Sequence, residues 1–329
     1  MANKEAEAMK TRKIAMLMVF VLAMASLALG VSAADFPTKP IHIVNYVAAG
    51  GVMDVTTRKF VDIASKYTKA VFVVENKTGA GGLIAQEYIL EQAADGYNIF
   101  AATSSNIISI VSGGSDQKKY VDGFQWISML MRDPECVITS KTAKINTWQD
   151  VLKDGIDKKG NQIWVGPSTG GNDHLLALKL WDKAGMKAKW IPYESGPAAM
   201  LALMGGQGVA YVGNPADITG RPDLKIAAVC APERLKQFPD VPTFKELGIP
   251  GMEDEIMWRG FAVKRGTPKE AIAWLQDIVD KVYADPEWVK FFYDQAIDVT
   301  NYREDRFTSL IKAQIVDATA YLKAEGLLK

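Results

Sequence analysis

The chain has 329 residues, with 38 basic and 38 acidic side chains, 2 His and 2 Cys. A formal charge of zero lacks the basic stripe of a dedicated nucleic-acid binder, so no nucleic-acid partner is expected. A structural zinc site would consume every Cys and His, and no CxxC or HxxxH spacing occurs, so neither metal nor cofactor is expected.

Lys4, Lys10, Arg12 and Lys13 precede an apolar run over residues 14–29, and Val31-Ser32-Ala33 follows it. This is the pattern of a secretory signal peptide over residues 1–33, cut after Ala33. The alternative, an N-terminal membrane anchor, is disfavoured because the run is slightly short for a span. The mature chain would be exported and soluble, with 34 basic against 36 acidic groups. At about 100–200 residues per domain, it has room for two domains. In an oxidising compartment Cys136 and Cys230 could pair; two buried free thiols is the alternative.

Residues 41–47 read as an apolar strand ending before Gly50-Gly51, and a helix follows over 54–67 with Val55, Phe60, Ile63 and Ala64 as its apolar positions. A strand at 71–75 leads to the glycine loop Gly79-Ala80-Gly81-Gly82 and a helix over 84–93. A strand at 98–102 ends in the polar cluster Thr103-Ser104-Ser105-Asn106. The pattern restarts after Asp133-Pro134, with strands at 136–139, 162–165, 189–191, 210–212 and 226–229. Helices lie between them at 148–153, 173–184 and 196–204. A late apolar strand at 258–263 precedes helices over 268–284 and 303–324. Alternation of this kind indicates an α/β fold with a parallel sheet.

Gly166-Pro167-Ser168-Thr169-Gly170 matches GxSxG between a strand and a helix, where a nucleophile elbow would sit. A hydrolase of that order needs a histidine well downstream of its serine. His174 is six residues on, inside the next helix, and His42 lies upstream. The segment therefore reads as a helix start lined by Ser168, Thr169 and Asn172, with a secreted serine hydrolase using Ser168 as the alternative. Gly79-Ala80-Gly81 is only a partial GxGxxG and no P-loop lysine follows. Five glycine- or hydroxyl-rich loops follow strands, at 50–51, 79–82, 103–106, 168–172 and 195–196. In open α/β sheets ligands bind outside the carboxyl ends of the strands, and helix N-termini there favour anions. Tyr46, Tyr193 and Trp258 adjoin these loops as possible ligand contacts, whereas Met129, Met131, Met200 and Met204 read as core.

Several ordered motifs resemble one family. Phe36-Pro37-Thr38-Lys39-Pro40 resembles the mature start of the Bug-type solute-binding proteins of tripartite tricarboxylate transporters. Asn45 to Asp54, NYVAAGGVMD, is similar to their PFAPGGGTD, and ENKTGAGG from Glu75 to their ENRPGAGG. Asp95-Gly96-Tyr97, Pro192-Tyr193, Ser195-Gly196-Pro197-Ala198, Asp240-Val241-Pro242-Thr243 and Gly266-Thr267-Pro268 match further family segments in order.

The resemblance implies a type II periplasmic-binding-protein fold, two α/β domains around a ligand cleft. Domain 1 would comprise residues 36–137 plus 256–329, and domain 2 residues 138–255. It implies a periplasmic, non-enzymatic receptor that captures a small organic acid (a di- or tricarboxylate, or an aromatic carboxylate). The receptor would act as a monomer and deliver its ligand to the large and small membrane subunits of a transporter. A ligand-sensing partner of a signalling receptor shares the same chemistry. Carried over by position, the first-domain ligand set is Ala49, Gly50, Asp54, Gly79, Ala80, Gly81, Thr103 and Ser104. The second-domain set is Ser168, Thr169, Gly170, His174, Ser195 and Asn214.

Two departures bear on the ligand. The family's GGTD is Gly51-Val52-Met53-Asp54 here, which replaces a small residue and a hydroxyl by apolar side chains. An aspartate of the family is Asn214, which lacks the charge to receive an ammonium group. The expected ligand is a carboxylate without an amino group, with an apolar body beside Val52 and Met53, unless these two pack into the core. Arg259 could pair bidentately with a carboxylate or brace the hinge through Glu253 or Glu255.

Overall fold

The computed structural model describes residues 36–167, 169–295 and 297–328. The signal-peptide segment and Ser168 lie outside the described residues.

The first βα units follow the apolar patterning. They are β1 (Ile41–Asn45), α1 (Val52–Ala64), β2 (Phe72–Asn76), α2 (Leu83–Glu91), β3 (Asn98–Thr103), α3 (Ser104–Ser112) and the short α4 (Gln117–Tyr120). Helix α1 buries Met53, Phe60, Ile63 and Ala64 at helical spacing, and turns Val55 outward. The polar cluster ends β3 at Thr103, as expected, and its Ser104-Ser105-Asn106 also begins α3, which buries Asn106, Ile107, Ile110 and Val111. A long strand β4 (Phe124–Pro134) then runs through the layer with ten of its eleven residues buried. It shows no alternation because both faces are covered, and the patterning of the sequence does not reveal it.

The chain then leaves this sheet and builds a second one. Its elements are β5 (Cys136–Ser140), α5 (Trp148–Lys158), β6 (Gln162–Pro167), α6 (Asn172–Lys183), β7 (Ala188–Tyr193), α7 (Gly196–Met204), β8 (Ala210–Gly213) and β9 (Leu224–Val229). Thr147 and Asp150 close a reciprocal capping box at the start of α5. The return segment leads into β10 (Ile256–Lys264), α8 (Lys269–Ala284), α9 (Pro286–Tyr293), β11 (Asp298–Arg303) and α10 (Glu304–Ala324). Strand β11 and helix α9 fill what reads in sequence as a plain connection.

The first sheet has the order β11-β4-β10-β3-β1-β2 and the second β7-β6-β8-β5-β9. Strand β1 is parallel to β2 and β3, but β10 is antiparallel to β3 and β4. In the second sheet β6 is parallel to β7 and β8, and β5 is antiparallel to β8 and β9. Both sheets are therefore mixed, not parallel. The reason is topological: β5 and β10 are the first strands after each crossing and enter their sheets against the direction of the βα units.

Each sheet has its own aromatic core. Trp126, Trp258 and Phe307 meet edge to face in the first, and Trp148, Trp164, Trp181 and Phe244 in the second. Such pairs add about 0.5–1.5 kcal/mol each beyond their burial. Met129, Met131 and Met200 are core as expected, but Met204 is exposed. Helix α10 ties the layers together. Phe307 and Ile311 sit in the first core, Ala318 and Leu322 pack with Leu175 of α6, and Tyr321 donates to Asp182. Lys179 on α6, 3% exposed, reaches Glu255 at 2.8 Å and Asp317 at 2.9 Å across the same junction. Cys136 and Cys230 are buried free thiols, so no disulfide links the crossing strands.

Candidate functional site

The ends of β1, β2 and β3 carry three loops built for exposed backbone. In the loop after β1, Ala49 and Gly50 are exposed, and the Gly50 N–H donates to Asp54 Oδ2 at 2.9 Å. Asp54 is 2% exposed and also accepts from Arg58 Nε and Asn76 Nδ2, both at 3.0 Å. Burial opposes its ionisation, but the hydrogen bonds from Arg58, Gly50 and Asn76 outweigh burial and hold its pKa below the usual carboxylate value. Asp54 thus anchors the loop from beneath, and it is Ala49 and Gly50 that face out.

After β2, Gly79, Ala80 and Gly81 are exposed, and residues 79–82 all have positive φ. Gly82 is the position that requires glycine. Its φ is +103°, and a Cβ there would stand 2.3 Å from Asn106 Nδ2. Asn106 in turn donates to the Gly81 carbonyl at 2.8 Å and fixes the glycine loop over the start of α3. There Thr103 and Ser104 are buried, and the Ser104 hydroxyl has no hydrogen-bond partner. Tyr46, half-buried, shares a 2.6 Å hydrogen bond with Thr103 Oγ1, and burial raises its pKa.

Arg259 stands opposite Thr103 in the β10–β3 register and is 4% exposed. Its Nη1 donates to Met131 Sδ at 3.1 Å, and its Nη2 lies 3.8 Å from Asp133 Oδ2. Burial lowers its pKa, an effect that Asp133 and Tyr46 partly offset. Glu255, one of the two partners expected for it, is held by Lys179 instead.

On the second sheet, Thr169 is exposed and the Gly170 N–H donates to His174 Nδ1 at 3.0 Å. The His174 ring stacks on Trp190 with centroids 4.9 Å apart. That stack needs Gly166, because a Cβ there would lie 2.1 Å from the Trp190 ring. Burial depresses the His174 pKa to about 4. With Nδ1 occupied and the ring packed, His174 braces its loop. We expect the His174 ring protons in an NMR titration to move with a midpoint near 4 and to stay constant from pH 6 to 9.

Ser195 is exposed and caps α7 through the Ala198 N–H at 3.4 Å. Asn214 is half-buried, and its Nδ2 donates to the Pro134 carbonyl at 3.2 Å, so it clasps the second sheet to the end of β4. Trp258, expected as a ligand contact, is instead fully buried in the core and donates to Gln314. The apolar pair beside Asp54 divides: Met53 is core, whereas Val52 is 57% exposed at the first turn of α1. Ile84 is 51% exposed at the first turn of α2. Patterning of the sequence misses a group of carboxyls, the buried Asp133, Glu135 and Asp173 with the half-buried Asp217, gathered where the chain passes between sheets. The signal available for it was that Asp133 and Glu135 flank Pro134 at the point where the βα pattern restarts.

Two mixed α/β sheets, joined by strand crossings and carrying backbone-rich loops at their strand ends, define a binding protein of the type II periplasmic class. The comparisons with known proteins narrow this. The model of the tripartite tricarboxylate transporter family receptor matches residues 56–327. BugT of Bordetella pertussis is 26% identical over 290 residues, 87% of this chain and 88% of that one. A crystal structure of a solute-binding protein from Polaromonas, without ligand, is 26% identical with a TM-score of 0.77, covering 88% of this chain and 99% of that one. An R. palustris protein solved with adipate shares the fold at 21% identity, with a TM-score of 0.72 over 89% of this chain and 99% of its own. The chain belongs to the tripartite tricarboxylate transporter receptor family. It is a periplasmic-type solute-binding receptor and not an enzyme.

Proposed function

We propose that the receptor captures a small organic carboxylate lacking an ammonium group and delivers it, as a monomer, to the large and small membrane subunits of its transporter. The observation that carries this is the convergence of exposed backbone after β1 and β2 with the Thr103-Ser104 start of α3, beside a Ser104 hydroxyl left without a partner. Backbone N–H groups and a helix N-terminus receive an anion without any free Lys or Arg. Ala49, Gly50, Gly79, Ala80, Gly81, Thr103 and Ser104 form this first-domain half. Thr169, Gly170 and Ser195 supply the facing half on the second sheet, and Ser168 would join them. Tyr46 and Arg259 position Thr103, while Asp54, His174 and Asn214 hold the loops and the crossing. Val52 and Ile84 put an apolar wall beside the site, which suits the methylenes or ring of the acid.

In this reading residues 36–137 with 256–329 close on residues 138–255 as two domains, after export and cleavage behind Ala33. The adipate held by the R. palustris neighbour is a dicarboxylate without an amino group, in keeping with the reading. Thermal-shift screening of dicarboxylates, tricarboxylates, aromatic acids and amino acids tests it. A ligand at about 100 times its Kd adds about 2.7 kcal/mol. We expect the stabilisation to come from amine-free acids, and stabilisation by amino acids alone would overturn the reading. An activated ester should show no turnover.

A further inference from the structure

We propose that the junction between the two sheets is a proton-held latch: Glu135 and Asp173 carry protons in the arrangement seen here, and their ionisation drives the sheets apart. Glu135 occupies the centre of both crossings. Its N–H donates to the Glu255 carbonyl at 3.1 Å on the return segment, and its carbonyl accepts from the Cys230 N–H at 2.8 Å. Its side chain is 1% exposed. One oxygen accepts from Asn172 Nδ2, while Oε2 has no hydrogen-bond partner. An ionised oxygen in that position would be neither solvated nor bonded, whereas a protonated one carries no such charge to satisfy.

The surroundings of Glu135 are mostly acidic. Asp133 approaches from β4, Asp173 from the first turn of α6, and Asp217 from the turn after β8. Asp173 is 8% exposed and Asp133 4% exposed. The cations nearby are engaged. Arg259 lies against Asp133, and Arg221 donates to the Asp217 carbonyl. Arg132 donates to the Glu253 carbonyl and lies 3.8 Å from Asp254, while Lys179 spans Glu255 and Asp317. The remaining titratable neighbours are neutral. Tyr211 donates to Asp217 at 3.1 Å, and Cys136 and Cys230 are thiols whose pKa burial raises. Tyr46 faces Arg259, and His174 stays uncharged.

Carboxyl groups crowded into one buried region cannot all ionise. Burial first, then the charges of its neighbours, pushes Glu135 well above the usual carboxylate range, and the same causes bring Asp173 to about 7. Asp133 and Glu135 belong to the first sheet and its exit, whereas Asp173 and Asp217 ride on the second. Repulsion on ionisation therefore acts across the junction. The sign is fixed by linkage. Above the ordinary carboxylate pKa of about 4, the folded state holds protons that the unfolded chain has lost, so stability falls as pH rises. Asp173 contributes this loss up to about 7, and Glu135, raised by its burial and its acidic neighbours, adds to it.

The test uses the ligand-free protein, so it stands or falls apart from the carboxylate reading. Radius of gyration by small-angle scattering and Tm are measured from pH 5.5 to 9.5 for the natural chain, Asp173→Asn and Glu135→Gln. The natural chain should expand and lose roughly 5 °C or more as pH rises. Asp173→Asn should keep its dimensions and lose clearly less stability across the same range. Asp173 lies at a helix start, so this variant carries the test even if Glu135→Gln does not fold. A flat profile for the natural chain overturns the latch, and so does an Asp173→Asn profile that tracks the natural one.

Discussion

Arg259→Ala should lower the stability of the receptor by about 3–5 kcal/mol, the cost of breaking a buried ion pair from one side. For a chain of this order of size, each kcal/mol moves Tm by roughly 2–4 °C, so the drop should be about 10 °C. The guanidinium sits between the Met131 sulfur at 3.1 Å and the Asp133 carboxylate at 3.8 Å. Removing it leaves Asp133, 4% exposed, without that cation in a neighbourhood that already holds Glu135, Asp173 and Asp217. A cavity the size of the lost side chain adds to the cost. The double-mutant cycle with Asp133→Asn separates the two contributions. If charge dominates, the double variant should recover more than half of the loss. Recovery of none would assign the effect to packing against Met131. Ligand affinity in Arg259→Lys, which keeps the charge but loses the planar fork, reports on positioning of Thr103 through the β10–β3 register.

That arrangement shows which parts of the molecule could be read in advance. Strands β1, β3 and β6 are short apolar runs closed by glycine or hydroxyl residues, and both signals survive in the bare sequence. The exposed loops were legible for the same reason, since glycines mark the places where the backbone takes positive φ, as at Gly50, Gly79 and Gly81. Strand β4 was hidden because it is covered on both faces and ends in Arg132-Asp133-Pro134, which reads as a turn. Helix α3 was hidden because Ser104, Ser105 and Asn106 are loop formers by composition, although they begin a helix here. The carboxyl group at the junction was invisible for a different reason. Asp133, Asp173 and Asp217 are far apart in the chain, and isolated acids look like solvated surface. Only the two crossings bring them together. Asp54 and His174 lie in the first turns of α1 and α6, and what they do follows from partners that no spacing reveals.

Asp54→Ala should weaken ligand binding by at least about tenfold, equivalent to about 1.4 kcal/mol, although Asp54 itself need not touch the ligand. The carboxylate is the common acceptor for the Gly50 N–H, Arg58 and Asn76, at 2.9, 3.0 and 3.0 Å. Hydrogen bonds to a charged group contribute roughly 1.5–3 kcal/mol each when their partner is lost. Truncation frees the Gly50 N–H and lets the loop after β1 leave the conformation that presents Ala49 and Gly50. Two measurements distinguish loss of the loop from general unfolding. Hydrogen exchange at the Gly50 amide should quicken strongly in the variant, while amides of β3 and β10 stay protected. The pH dependence should change as well. Because the folded pKa of Asp54 lies below its unfolded value, its contribution to stability is complete above the unfolded pKa of about 4 and is lost as pH falls through the folded one. Asp54→Asn, which keeps the shape without the charge, should lack that share of the acid loss and bind with intermediate affinity. Wild-type affinity in Asp54→Ala, with normal protection at Gly50, would show that the loop holds its shape without its anchor.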